Sequence, residues 1–478
     1  MTFAAAGPSW RIRPRARNRE LLLLLAAAVA LIAGWVSLRS DSAGRLTLGD
    51  ARLLFAFLGI LAALHVAFVL TGRRTDQVLL PAAGLLGGLS LLLMARLPQG
   101  LVVQDLGGLE LGLAPLQLLW LALSFVLLGV LAIVVRSDGW LRYYKYSWAA
   151  AGVALLLLVF VLGDPEESGA RLSLRIGPVA GQPSELLKII LVVFLAGYLA
   201  DNRPLLAQTS TRVGRIALPP LPYLLPMVAM WSVALLVVIV QRDLGAALLF
   251  FTVFLALLYV ATQRLSFALL GIVLFLAGAA VLYNLFGHVR DRIDIWLNPF
   301  ADAGGSGFQV VRALYAFGRG GILGTGLGAG LPQVGSSPAI PAIHTDFVFT
   351  ALAEELGLLG ALAILALYLV IAERGLRIAV RAADDFRALL AAGLTLVIVV
   401  QAAIIIGGNA KVVPLTGITL PFVSYGGSSL LANAIIVGLL LALSDQGVEP
   451  PPMGRRGRRA RLQEGARELG ERIERAVS

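Results

Sequence analysis

Twelve apolar runs, each closed off by polar or basic residues, decide what this chain can fold into. They lie near 21–38, 52–71, 78–96, 113–135, 146–163, 184–200, 218–240, 245–262, 266–286, 346–372, 388–407 and 429–444. A helix needs roughly 20 apolar residues to cross the hydrocarbon layer, and only helices and closed barrels satisfy their backbone there. The expected fold is an all-α integral membrane protein, a polytopic bundle of about 12 transmembrane helices with a large extracytoplasmic loop at 287–345. The first run follows a string of arginines, as in a signal peptide, but it is long, lacks an evident cleavage site and precedes many further spans. It is read as the first helix, so the chain divides into a basic N-terminus (1–20), a membrane domain (21–446) and a basic tail (447–478).

Charge is scarce, at 14% of residues against about 25% in soluble globular chains, so where it falls is informative. Most Lys and Arg fall in alternate connections beginning with the N-terminus. This places both termini in the cytoplasm, and the net charge of +11 reflects topology rather than nucleic-acid binding. The tail, rich in Arg and Glu, suits a solvated or membrane-surface segment near anionic lipid. There is no cysteine and there are three histidines, which excludes thiol chemistry and makes a His-rich metal centre a poor fit. Carboxylates, Lys, Arg, hydroxyls and amides must carry any catalysis.

With that topology, four polar segments and one helix start meet the outer side. In HTDFVFTALAEELG (344–357), Asp346 stands where an N-cap or first-turn acid would stand. Thr350, Glu354 and Gly357 follow it on one helical face. Glu354 and Glu355 either are satisfied inside the bundle or mark a polar cavity opening toward Asp346. Gln182–Pro183–Ser184–Glu185 reads as a helix opening, with Lys188 one turn on as an ion-pair partner for Glu185. Gln241, Arg242 and Asp243 form a tight connection that would also suit a solvated turn. The glycine run 318–330 lacks the strand and Gly-Lys-Ser/Thr of a nucleotide loop and suits close backbone turns. Residues 409–429, broken by Pro414, Gly417, Pro421, Gly426 and Gly427, suit a re-entrant or buried loop presenting Ser424, Tyr425, Ser428 and Ser429.

At these residues the chain resembles the RodA/FtsW family, the membrane glycosyltransferases of bacterial shape, elongation, division and sporulation. The matching stretches are GPVAGQPSELLK (177–188), QRDLG (241–245), FGRGGILGTGLG (317–328), HTDFVFTALAEELGLLG (344–360) and PLTGITLPFVSYGGSS (414–429), within a family core of about 140–446. Two extra N-terminal helices suit a longer, RodA-like form. Two departures stand out: Arg242 replaces the usual proline of QPDLG, and RLSLRI before Gly177 lacks the usual Trp.

The resemblance implies that lipid II is polymerised into glycan strands at the outer face, with undecaprenyl diphosphate leaving. It implies Asp346 as general base. Glu185, Lys188, Arg242 and Asp243 would surround the substrate, with Ser424, Tyr425 and Ser428 as weaker contacts. Glu185 and Asp243 are also the candidate oxygen ligands of a divalent cation, Mg or Mn. A class B penicillin-binding protein is the implied partner. A lipid II flippase and a non-catalytic scaffold for wall enzymes are the alternatives, and elongation is not separated from division.

Overall fold

The structure, a computed structural model, describes residues 15–43, 51–105, 108, 110–165, 171–176, 179–208, 211–213, 216–218, 243–330, 333–334 and 337–445. The expected helix at 218–240, Gln241, Arg242 and the basic tail lie outside the described residues, save Leu218 at the edge of that run. Eleven described helices are long and apolar enough to cross a membrane, so the chain is a multi-pass helical membrane protein. They are α1 (Asn18–Ala43), α2 (Arg52–Thr71), α3 (Leu79–Arg96), α4 (Leu113–Val134), α6 (Lys145–Leu162), α7 (Pro183–Gln208), α8 (Leu244–Thr262), α9 (Leu265–Leu285), α12 (Val348–Val380), α13 (Asp385–Asn409) and α14 (Gly427–Ser444). Three shorter helices complete the set: α5 (Gly139–Tyr143), α10 (Gly287–Leu297) and α11 (Phe308–Gly320).

Burial sorts the spans into a centre and a rim. Helices α3, α7, α8, α13 and α14 bury most of their length, whereas α6 and α9 are apolar on nearly every side and leave Leu162, Val161, Val273 and Leu276 exposed. A helix apolar all round belongs against lipid. The central helices instead carry small residues where they meet: Gly393 of α13 faces Val192 and Leu257, and Gly438 of α14 faces Leu128 and Leu131. Such small-residue contacts let helices approach closely where hydrocarbon supplies no hydrophobic drive.

Ion pairs fasten the ends opposite the candidate site. Arg17 pairs with the buried Glu20 and donates to the carbonyls of Arg73, Thr75 and Asp76 at 3.0–3.2 Å, while His65 Nδ1 lies 2.7 Å from Glu20. Arg387 grips Asp138 through two nitrogens, the shortest contact being 2.6 Å. At the other end the connections carry small antiparallel sheets. The largest, β3 (Asp164–Pro165), β4 (Arg171–Ile176) and β5 (Val179–Gly181) in that order, leads directly into α7.

Helix α12 departs from the single continuous helix expected over 346–372. It breaks at Gly357, whose φ of 69° and ψ of −170° are open to glycine and strained for other residues. The amides released there pair with the glycine run. Leu358 and Leu359 donate to the carbonyls of Gly321 and Ile322, and Thr325 and Gly326 donate to Glu354 and Glu355, all at 2.9–3.2 Å. The glycine run is therefore packed into the break rather than lying as a separate surface loop. Glu354 is satisfied within this joint by Arg319, whose Nε is 2.9 Å away, and Glu355 in part: the Gly328 amide donates to its Oε2 at 3.1 Å and Arg96 stands at 3.6 Å, while its buried Oε1 has no hydrogen-bond partner among the described residues.

Candidate functional site

A cavity of about 560 Å³ opens where the ends of α4, α7, α8, α10, α12 and α14 converge. Asp243, Arg292, Thr345 and Asp346 line it, together with Gln182, Trp120, the first residues of α14 (Gly427, Ser428 and Ser429) and the irregular segment 416–426. That segment joins α13 to α14, and it is protein-covered as irregular backbone at such depth must be: Leu420, Phe422 and Val423 are buried.

The two acids arrive by different local devices. Asp243 is the N-cap of α8, its Oδ1 accepting from the Ala246 amide at 2.8 Å. Asp346, expected at the cap or in the first turn, is neither. Helix α12 starts at Val348 with Phe347 in the cap position and no side-chain cap, because a turn on Ala342 delays the helix. The Asp346 amide donates to the Ala342 carbonyl at 2.9 Å, and the Asp346 carbonyl accepts from Asn409 Nδ2 at 2.8 Å. Asn409 Oδ1 in turn accepts from the Thr350 hydroxyl at 2.9 Å. This backbone is pinned while its carboxylate faces the cavity.

Burial sets the electrostatics. It raises the Asp346 carboxyl above its ordinary range, against the opposing pull of the Thr345 hydrogen bond and the charge of Arg292. Burial likewise pushes Asp243 up to about 6, opposed by the Ala246 amide and Arg292 and helped by Glu185. Arg292 is held by the Leu415 carbonyl at 3.0 Å. Between acid and cation lies Gly417, at φ 73°. A Cβ added there would stand 3.7 Å from Asp346 Oδ2 and 3.9 Å from both terminal nitrogens of Arg292. Two buried polar atoms of the lining, Gln104 Oε1 and Thr416 Oγ1, have no hydrogen-bond partner among the described residues.

Of the residues singled out from sequence, Asp346, Asp243, Tyr425 and Ser428 meet at this cavity, together with Ser429. Lys188 stands behind its wall, 2% exposed, bonded to Glu185, to Gln401 Oε1 at 2.8 Å and to Asn433 Oδ1 at 3.3 Å. Gln401 then donates to the Thr419 carbonyl at 2.8 Å and Asn433 to Ser429 Oγ at 3.2 Å. The Thr419 hydroxyl lies 2.6 Å from Ser429 and 3.4 Å from Glu185. The Glu185–Lys188 pair thus braces the lining from behind rather than lining it. Ser424 is also outside the lining: its hydroxyl accepts from the Leu420 amide at 2.8 Å and donates to the Thr345 carbonyl at 2.5 Å, closing the loop onto the segment that carries Asp346. Arg242 lies outside the described residues. Among the described residues, no three His, Asp or Glu side chains gather as a metal cage.

Arg292 was not singled out from sequence, though a signal exists. In DRIDIW, Arg292 and Trp296 are four apart on α10, and both donate to the segment after α13, Arg292 to Leu415 and Trp296 Nε1 to Lys411 at 3.1 Å. Thr416 and Thr419 were passed over because the segment's prolines and glycines drew the reading toward its backbone.

Comparison with known proteins gives three kinds of match. The family described as cell cycle protein, FTSW_RODA_SPOVE, matches residues 77–448, so α1 and α2 precede the matched region. The chain is 38% identical over 439 residues to the peptidoglycan glycosyltransferase RodA of Mycobacterium bovis, covering 91% of this chain and 92% of the relative. It is 37% identical to a probable peptidoglycan glycosyltransferase FtsW of Nitrosococcus halophilus, covering 72% and 86%. Among solved structures it resembles a chain from a study of how a peptidoglycan synthase complex coordinates polymerization and crosslinking, with a TM-score of 0.59, 27% identity, and coverage of 78% and 98%.

Proposed function

The chain belongs to the FtsW/RodA/SpoVE family, and we propose on that premise that its peptidoglycan glycosyltransferase activity is the polymerisation of lipid II in the cavity at Asp346. One observation carries the assignment: a carboxylate on pinned backbone faces a guanidinium across a glycine, inside a cavity at one end of a membrane bundle.

The reaction follows from that pairing. The 4-hydroxyl of the acceptor sugar attacks the anomeric carbon of the donor. A new C–O bond forms, the bond from that carbon to the diphosphate oxygen breaks, and undecaprenyl diphosphate leaves. Asp346 takes the hydroxyl proton, for which a carboxylate with a raised pKa is a competent base. Arg292 faces the negative charge that grows on the leaving diphosphate. Direct attack inverts the anomeric carbon without a covalent enzyme intermediate. Asp243, Tyr425 and Ser428 contact the sugars, and Glu185 and Lys188 hold the cavity wall. A divalent cation would have Asp243 as its nearest lining ligand, since Glu185 is already compensated by Lys188.

The cavity end of the bundle faces outward from the bacterial cytoplasmic membrane, with both termini in the cytoplasm. The inward position of the Arg17, Arg73, Arg374 and Arg387 cluster supports this orientation. A class B penicillin-binding protein cross-links the product; the resemblance to a chain of a synthase complex that couples polymerization to crosslinking supports that partner.

The test is polymerisation of labelled lipid II by the purified chain with its transpeptidase partner, comparing wild type with Asp346→Ala. Glycan ladders from wild type and none from a folded variant are expected. Ladders from both would overturn Asp346 as the base, and ladders from neither, with the complex intact, would point to lipid translocation instead.

A further inference from the structure

A second concavity, about 380 Å³, lies at the opposite end of the bundle between the α2–α3 connection, the end of α12, the start of α13 and the end of α14. Five arginines line it (Arg74, Arg374, Arg377, Arg381 and Arg387) against two aspartates, Asp76 and Asp445. Both acids are already committed. Asp445 pairs with Arg73 at 2.7 Å, and Asp76 Oδ1 accepts the amides of Val78 and Leu79 at 2.8 and 3.1 Å. Arg387 is committed to Asp138, and Arg374 and Arg377 share Glu373. The guanidinium groups of Arg74 and Arg381 have no carboxylate partner among the described residues, and both side chains are exposed at the mouth.

The surroundings state what kind of anion fits. Arg374 and Arg377 lie at the end of α12 and Arg381 caps it, at i, i+3 and i+7 spacing that puts them on one side. Roughly a third of a turn round the same helix, Leu369, Leu376 and Val380 are exposed by 58%, 45% and 87%, an apolar track that ends at the level of the cleft. A cationic hollow at the end of a lipid-facing apolar track matches a negatively charged headgroup with its acyl chain laid along the helix. Basic pockets between spanning helices on the cytoplasmic side are suited to such headgroups, where the leaflet itself is anionic.

We propose that this cleft binds a phosphate-bearing anion through Arg74 and Arg381, and that its occupant in the membrane is the headgroup of an anionic phospholipid. The phosphate site is independent of the catalytic reading; only the lipid source uses the orientation proposed above.

The experiment titrates the purified full-length chain in detergent with phosphatidylglycerol, with phosphatidylcholine of equal chain length, and with inorganic pyrophosphate, reading bound ligand by native mass spectrometry. The variant Arg74→Gln/Arg381→Gln is compared with Arg142→Gln/Arg264→Gln, which removes equal charge from the same face away from the cleft. Phosphatidylglycerol should bind in preference to phosphatidylcholine, and the cleft variant should lose about ten-fold or more in affinity while the control stays within about two-fold. Arg74, Arg142 and Arg381 are exposed and Arg264 is partly buried over Phe267, and equal melting temperatures check that the fold persists. Pyrophosphate binding that the cleft variant abolishes, without selective lipid binding, supports the phosphate site and assigns it a soluble occupant. An equal loss in both variants, or no selective binding of any of these probes, overturns the proposal.

Discussion

The hollows at the two ends of the bundle are both polar, yet they are built from different materials. The Asp346 cavity sets two acids with raised pKa against one guanidinium, and its walls are irregular backbone held by Asn409, Ser424 and the Gln401–Lys188–Asn433 cluster. The cleft opposite sets five arginines against two committed acids, carried at the ends of regular helices on long, partly exposed side chains. The contrast separates two demands. Taking a proton at a defined atom needs a desolvated group on backbone that cannot shift. Attracting an anion needs only charge within reach, and flexible arms supply it.

That contrast can be broken most severely at Asp346. Asp346→Asn should lower lipid II polymerisation about 10²–10⁴-fold with an unchanged melting temperature. A variant that polymerises at a rate near wild type would mean the cavity works, like the cleft, by charge alone.

Next in size comes the brace behind the wall. Lys188→Met leaves Glu185 buried without its partner and should destabilise the fold by about 3–5 kcal/mol, measured by thermal unfolding. Glu185→Gln combined with Lys188→Met should recover most of that loss. If Lys188→Met instead melts like wild type and loses only activity, Lys188 touches substrate and the bracing role is wrong.

The pH response sharpens the comparison further. Asp243 titrates near 6 in the folded chain against an ordinary 3.8, so the fold holds its proton more tightly than the unfolded chain does. Its contribution to stability is greatest below about 3.8 and is lost as pH rises through about 6. The melting temperature of wild type relative to Asp243→Asn should therefore fall across that window and level off above it. A flat difference would show that Asp243 is solvated, as a residue of the opposite cleft would be. The smallest effect is expected at Gly417, where Ala must adopt a left-handed φ at a cost of roughly 1–2 kcal/mol. Its activity should fall through a raised KM, because the methyl group takes up cavity space at contact distance from both Asp346 and Arg292.

How far the sequence announced all this varies by region. Eleven of the twelve expected spans were legible because hydrocarbon enforces long apolar runs, and the basic residues between them point to the alternation of ends on which the proposed orientation rests. The break in α12 was not, because Gly357 sits within a long helical pattern and only its pairing with residues 321–326 makes an interruption stable. Asp243 and Asp346 stood out as acids beside spans. Spacing shows Lys188 as the ion-pair partner of Glu185 but not its bonds to Gln401 and Asn433, which arrive from α13 and α14, so its place near the substrate came from the resemblance alone. Ser424 looked exposed for a similar reason: its partners, Leu420 and the Thr345 carbonyl, are set by a fold of the segment that its prolines do not spell out.

Gly417 also bears on inhibition of such a site. A small molecule lodged between Asp346 and Arg292 would rest on bare backbone at that position. Resistance at a drug target often arises when a lining residue gains bulk and evicts the compound while sparing the natural substrate. Here any added side chain would meet the acid and cation to which the reaction is assigned in our proposal, on a backbone already turned against it. An inhibitor anchored at Gly417 would thus leave the bacterium little room to escape by substitution at the point of contact.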